Sequence, residues 1–381
     1  MTLFTSKLPN TKPSIFTVMS VLAQKHGAVN LSQGFPDFPC SSELIDLVTF
    51  YMKNGDNQYA PMSGVPELRK QISQKFEKLY GITVDAKNEI TVTSGATEGL
   101  YSAISAFIRP NDEVIIFEPA YDSYRPAVEL NGGKIIPVKL TFPDFRIDWE
   151  ATAQAISERT KMLIVNFPHN PSGSVLEQED LEELVQLTKN TDILILSDEV
   201  YEHLVFDHHS HRPIFQHPEL RKRTLAVYSF GKTFHATGWK VGYCIASKNL
   251  SKEFRKTHEF VTFSTNTPFQ KAIAEHLKKP KNYLDLSSFF QKKRDHFNQI
   301  LMDSRFEFLP TKSTYFQLAN YRQISDEKDT DFAVRMTQEF GVAVIPISVF
   351  YTDGTDNQLI RFCFAKESGT LQMAGEKLIQ I

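Results

Sequence analysis

Seven short runs of β-branched or apolar residues lie between Glu89 and Ala246, and helical patterns separate most of them. The runs are EITVT from Glu89, EVIIF from Glu113, KIIPVKL from Lys134, KMLIVNF from Lys161, DILILSD from Asp192, TLAVYSF from Thr224 and KVGYCIA from Lys240. Strands this continuously apolar are covered on both faces, which is the condition of a parallel sheet wound with helices. The intervening LYSAISAFI, DWEATAQAISERT and EQEDLEELVQLTKN have helical spacing. The last two runs are separated by only a short loop, so they are expected to pair antiparallel. The predicted fold is α/β, with a large wound, mostly parallel seven-stranded sheet.

The flanks read differently. The first 30 residues are spotted with proline and hold room for an arm and one short helix. Beyond about Pro280 comes a long helical pattern, NYLDLSSFFQKKRDHFNQILMDS. Strand-like FEFLP, TYFQLANY, VAVIP and LIRFCFA follow, with a helix around Phe332 to Phe340. This is a smaller α+β unit. The predicted division is 1–30 as N-terminal arm and part of the small domain, 31–280 as the large domain, and 281–381 as the rest of the small domain.

Composition narrows the function. With 45 acidic and 42 basic side chains the net charge is -3, so no basic stripe invites nucleic acid. No apolar run reaches the roughly 18 residues of a membrane span. The start, MTLFTSKLPNTKPS, lacks the apolar stretch of a secretory signal. Cys40, Cys244 and Cys363 have no CxxC spacing, which predicts reduced thiols and a cytoplasmic protein.

Several familiar patterns fail. FGKT at Phe230 would need a glycine where Ala226 stands to be a P-loop. No GxGxxG follows a strand. His258-Glu259 meets Thr262 where a zinc-binding HExxH has its second histidine. His208, His209 and His211 sit with Asp207 and Arg212 in a polar stretch that reads as a solvated loop, so no metal site is expected.

What remains lies at predicted strand ends, where wound sheets bind ligands. Lys232 follows a strand in SFGKTFHATGWK, among Phe230, Phe234 and Trp239; desolvation there would lower its pKa and make the amine a nucleophile toward carbonyls. Asp198 ends ILILSD, where a carboxylate needs a cation or hydrogen bonds. SGATEG, from Ser94 to Gly99, joins a strand to a helix whose first N–H groups favour a phosphate. Asn170, in HNPSG, adds a polar amide at the same edge. A phosphate seat, a reactive lysine and a strand-end carboxylate are the parts that a Schiff-base pyridoxal 5'-phosphate would use.

The ordered set NLSQGFPDF, NQYAPMSG, TSGATEGL, PHNPSG, SDEVYEH and SFGKTFHATGWKVGY resembles the class I, fold-type I aminotransferases. Within them it is most similar to bacterial methionine aminotransferases and kynurenine/glutamine transaminases, from Asn30 to the IRFCFAK at Ile360. The resemblance implies an aspartate aminotransferase-like fold, pyridoxal 5'-phosphate as cofactor, and a homodimer with shared sites. Lys232 would carry the cofactor as a Schiff base and move the substrate proton. Asp198 would pair with the ring nitrogen, and Tyr201 and Asn170 would bond the ring oxygen. Tyr121 would stack on the ring. The N–H groups of Ala96 and Thr97, with Ser229 and Lys240, would hold the phosphate, joined by Tyr59 from the other subunit. Arg361 would bind the substrate carboxylate as a fork, helped by Asn170 and the backbone of Gly34.

Two departures from the wider family matter, one at the phosphate and one for the substrate. Position 240 is lysine where many aminotransferases have arginine, so the planar fork is missing at the phosphate. No second arginine stands where aspartate-preferring relatives bind a side-chain carboxylate. Phe16 and Phe263 fall where relatives place substrate-side aromatics, with ordinary core packing as the alternative for each. The implied reaction moves an amino group from methionine or another neutral or aromatic amino acid to a 2-oxo acid. A cysteine-conjugate or cystathionine-type β-lyase shares the first steps and the same motifs.

Overall fold

The computed structural model describes residues 5–9 and 11–381. After β1 (Val29–Asn30) come β2 (Ile90–Thr93), β3 (Glu113–Glu118), β4 (Lys134–Lys139), β5 (Thr160–Asn166), β6 (Leu194–Asp198), β7 (Thr224–Ser229) and β8 (Gly242–Ala246). The last seven form one sheet in the order β2-β8-β7-β6-β5-β3-β4. Every pairing is parallel except those of β8, which runs antiparallel to both β2 and β7. The expected antiparallel pair is therefore present, and β8 is inserted between β7 and β2.

The apolar runs are explained by burial on both faces. Val114 and Ile116 enter one core cluster while Ile115 and Phe117 enter the other, following the two-residue period of a strand. β2, β3 and β8 are buried at every position. At the sheet edge β4 instead exposes Lys134 and Lys139 and carries Pro137, features that discourage further strand pairing.

Beyond the large sheet lie β9 (Glu307–Phe308), β10 (Phe316–Asn320), β11 (Val342–Ala343), β12 (Ile345–Pro346) and β13 (Leu359–Cys363). Four of them form an antiparallel sheet ordered β12-β13-β10-β9. β11 pairs with β1 in parallel, so the residues at 29–30 are tied to the C-terminal part of the chain. VAVIP thus divides between two sheets rather than forming one strand. Residues 342–348 are all buried, so no alternation in the sequence marks the change of partner. The long helix expected after Pro280 is also two pieces, Lys281–Leu284 and Leu286–Ile300. Asp285 between them keeps right-handed helical dihedrals, φ -73° and ψ -11°, so the interruption is in hydrogen bonding.

Three helices bring residues to the carboxyl edge of the large sheet: α1 (Ile15–His26), α2 (Ala96–Phe107) and α3 (Phe230–Thr233). α1 ends at Gly27, whose left-handed conformation caps it. α2 buries Leu100, Ala103 and Ile104 along one face, the spacing of an amphipathic helix. Among the described residues no helix is long and apolar enough to cross a membrane.

Candidate active site

Parallel strands deliver their carboxyl ends to one edge of the sheet, and the loops there enclose a cavity of about 330 Å³. Into it come Ala96 and Thr97 after β2, Asn170 after β5, Asp198 and Tyr201 after β6, and Ser229 and Lys232 after β7. Tyr121 and Lys240 line it from loops, Phe16 from α1, Gly34 from the segment after β1, and Arg361 from β13. Phe263, which the sequence places on the substrate side, does not line the cavity, and Tyr59, which the sequence assigns to the other subunit's site, lies outside the cavity of its own chain. Tyr59, 81% exposed, and Phe263, 48% exposed, meet edge to face at 5.1 Å on the surface.

Lys232 sits in α3, directly at the end of β7. Its Nζ donates to the Gly34 carbonyl at 2.9 Å and to the Tyr315 hydroxyl at 3.0 Å. Burial lowers its ammonium to about 8, and Arg361 and Lys240 add to that push. Asp198 is buried, with the Tyr124 hydroxyl at 2.7 Å and the Val200 N–H at 3.4 Å as side-chain partners. Burial raises its carboxyl to about 6, against the pull of those hydrogen bonds. Asn166 fixes the strand end by donating to the Asp198 carbonyl at 3.1 Å and accepting from the Asn170 N–H at 3.2 Å.

The start of α2 makes the opposite end of the cavity cationic. N–H groups of a first helical turn lie outside the intrahelical ladder and carry the positive end of the dipole. Gly95 enters the turn at φ 79°, and a Cβ there would stand 3.4 Å from Lys240 Nζ. Lys240 itself is left-handed, at φ 54° and ψ 53°, and its ammonium lies beside the helix start. Gly242 is required by close approach, since its Cβ would lie 2.5 Å from the Tyr228 carbonyl and 3.0 Å from the Ala96 nitrogen.

Arg361 is fully buried in the centre of the small sheet. Its Nη1 donates to Asn170 Oδ1 at 2.8 Å and its Nη2 to the Ser32 carbonyl at 3.0 Å. The guanidinium lies 3.8 Å from the Phe316 ring centroid and 5.2 Å from that of Phe16. Both acceptors are neutral, and among the described residues its Nε has no partner. A buried cation in this condition is destabilising until an anion arrives.

Pyridoxal 5'-phosphate fits this donor set. A helix start with Lys240 and Ser229 suits its phosphate, the Lys232 amine suits its aldehyde, and Asp198, which lacks a cation among its partners, suits a protonated ring nitrogen. Tyr121, whose hydroxyl burial raises to about 12, presents a ring 6.5 Å from that of Phe16.

Sequence reasoning passed over Tyr124, Asn166, Tyr315 and Phe316. Tyr124 lies three residues beyond Tyr121, but only the fold shows that it bonds Asp198. Tyr315 and Phe316 read as ordinary strand residues, and no spacing signal distinguishes them. The histidines also differ from expectation in one respect. His211 is not solvated but bonds Glu199 Oε2 at 2.8 Å, while among the described residues no group of metal-ligating side chains forms.

Comparison with known proteins agrees with this chemistry. The family profile "Aminotransferase class I and II" matches residues 27–378. The methionine aminotransferase of Escherichia coli (strain K12) is 50% identical over 377 residues, covering 99% of this chain and 98% of that protein. The kynurenine–oxoglutarate transaminase of Dictyostelium discoideum is 34% identical over 413 residues, covering 97% of this chain and 94% of that one. The crystal structure of YbdL from Escherichia coli, identified as having a methionine aminotransferase function, matches all of both chains with a TM-score of 0.98 and 50% identity. This chain belongs to the class I and II aminotransferases, enzymes that depend on pyridoxal 5'-phosphate.

Proposed function

We propose that this enzyme moves the amino group of methionine, or of another neutral or aromatic amino acid, to a 2-oxo acid. The observation that carries the reading is Arg361, fully buried, with neutral acceptors and an unpartnered Nε, in the same cavity as Lys232. The anion it lacks is the α-carboxylate that amino acids and 2-oxo acids share, bound by the planar fork. Kinship with the Escherichia coli methionine aminotransferase supports the choice of donor.

In this reading Ala96, Thr97, Ser229 and Lys240 hold the cofactor phosphate. Tyr201 and Asn170 would bond the ring oxygen, Tyr121 would stack on the ring, and Asp198 would keep the ring nitrogen protonated. Bound pyridoxal phosphate supplies an aldehyde carbon and a ring that draws electrons from the substrate. Lys232 would hold the cofactor through its amine, and its Nζ, when free, would carry the substrate's α-proton. An amine with a pKa near 8 loses and regains a proton readily at neutral pH, which suits a group that must do both. Phe16 and Phe316, packed on Arg361, exclude water from the carboxylate seat.

Specificity follows from the rest of the cavity. Among the described residues Arg361 is the only arginine lining it. A second carboxylate, as in aspartate, would be left unpaired at a cost of several kcal/mol, on the order set by buried charges. A thioether beside aromatic rings instead gains about 0.3–1.5 kcal/mol.

The working unit in this proposal is a homodimer with shared sites. Tyr59 and Phe263 meet on the surface and Phe260 is 88% exposed, apolar area that a second subunit would cover, and the partner subunit's Tyr59 would reach the phosphate. A reducing cytoplasmic setting suits the three free thiols. The test is kcat/KM for methionine and aspartate with one shared acceptor. Methionine should win by well over tenfold; aspartate at or above methionine overturns the donor assignment. Release of pyruvate and ammonia in place of amino-group transfer would make the enzyme a β-lyase.

A further inference from the structure

Tyr315 touches the reacting amine, yet neither the sequence motifs nor the cavity lining single it out. It lies just before β10, fully buried behind Lys232. Its hydroxyl donates to the Gly34 carbonyl at 2.6 Å, so its only proton is committed. Its oxygen is left as an acceptor, and Lys232 Nζ donates to it at 3.0 Å. The same Nζ donates to the Gly34 carbonyl at 2.9 Å. Lysine, tyrosine and carbonyl therefore form a closed triangle of hydrogen bonds.

The triangle has a stereochemical consequence. A neutral lysine amine has two N–H bonds and one lone pair. With both N–H bonds held by Gly34 and Tyr315, the lone pair must point away from them. In the ammonium form the third N–H takes that same direction. The tyrosine is itself held firmly. Its ring meets Tyr201 at 5.2 Å, Phe316 at 4.9 Å and Phe290 at 5.6 Å between centroids, and its carbonyl accepts from the Phe364 N–H at 3.0 Å. Burial raises its hydroxyl well above the usual range, so it stays protonated and keeps its bond to Gly34.

We infer that Tyr315 is a positioning residue for Lys232: with the Gly34 carbonyl it forms a two-point seat that aims the lone pair, or the third proton, of the free amine at the reacting atoms. Orientation of this kind lowers barriers because the reacting geometry is set before the encounter. The inference rests on Lys232 being the reacting amine, and the experiment separates the two claims.

The experiment uses cofactor-free enzyme and two probes. Capture of pyridoxal phosphate joins Lys232 Nζ to the aldehyde carbon and releases one water, and it is followed by absorbance. Pyridoxamine phosphate has no aldehyde and forms no bond to lysine, so it reports the pocket alone. Tyr315→Phe keeps the ring and its packing, and leaves the Gly34 carbonyl still bonded to Lys232. It should slow covalent capture at least tenfold while pyridoxamine phosphate affinity stays within twofold. Capture as fast as in the unmodified enzyme, or a parallel loss of pyridoxamine phosphate affinity, overturns the positioning role. Borohydride reduction and peptide mapping of the unmodified enzyme test the underlying assignment separately; a label on any lysine other than Lys232 would remove that assignment instead.

Discussion

Lys75→Met removes one half of a buried ion pair whose other half, Glu202, lies in the turn that follows β6 and carries Tyr201. Lys75 Nζ lies 2.6 Å from Glu202 Oε1 and 2.7 Å from the Tyr243 hydroxyl, and both charged residues are almost fully buried. Burial pushes the Glu202 carboxyl up, but Lys75 and His203 outweigh it and hold the group well below the carboxylate range. Without Lys75 the carboxylate keeps only the Tyr243 hydroxyl at 3.0 Å, the Tyr80 hydroxyl at 3.4 Å and His203 at 3.4 Å. Breaking a buried pair from one side costs about 3–5 kcal/mol, and these remaining partners place this case near the lower end. A chain of 381 residues unfolds with an entropy of about 0.8 kcal/mol per kelvin, so Tm should fall by about 4–5 °C. Lys75→Met/Glu202→Leu, which removes both charges, should recover at least half of the loss, because the penalty comes from the stranded carboxylate. The pH dependence has a definite sign. In Lys75→Met burial raises the folded pKa of Glu202 above its unfolded value, so the penalty is full at high pH and shrinks as pH falls through that folded value. In the unmodified enzyme the depressed pKa keeps the carboxylate charged, and its contribution is lost only in strong acid. Calorimetric unfolding of the three proteins from pH 5 to 8 measures all of this. A double variant no more stable than Lys75→Met, or a penalty that grows toward pH 5, would refute the reasoning.

Asp198→Ala should bind cofactor weakly and lose nearly all turnover. Asp198→Asn should bind it better than the alanine variant while remaining almost inactive, because an amide cannot keep the ring nitrogen protonated; near-normal turnover in the asparagine variant would remove Asp198 from the proposed role. The shared site can be examined by mixing inactive Lys232→Ala protein with an inactive Tyr59 variant. Mixed dimers then hold one site with both residues intact, so activity should return after subunit exchange, and its absence after confirmed exchange would count against a site built from two chains.

The class of fold and most of the cavity follow from the order of residues alone. Seven runs covered on both faces by apolar packing leave little alternative to a wound sheet, and their carboxyl ends must then share one edge. That placed Lys232, Asp198, Asn170 and the turn at Gly95 together without any tertiary information, since strand ends are local in sequence. What required the tertiary structure was contact between residues far apart in the chain. Phe16 of α1 and Phe316 of β10 both pack on the guanidinium of Arg361, on β13. The Tyr315 hydroxyl reaches the Gly34 carbonyl across 281 positions. VAVIP divides between two sheets, and a run buried at every position carries no period to announce that change of partner. Phe263 came to the surface rather than to the cavity or the core. Hydrophobic periodicity records which face of an element is covered; it holds no record of which distant element does the covering, and the orientation of Lys232 depends on that second kind of information.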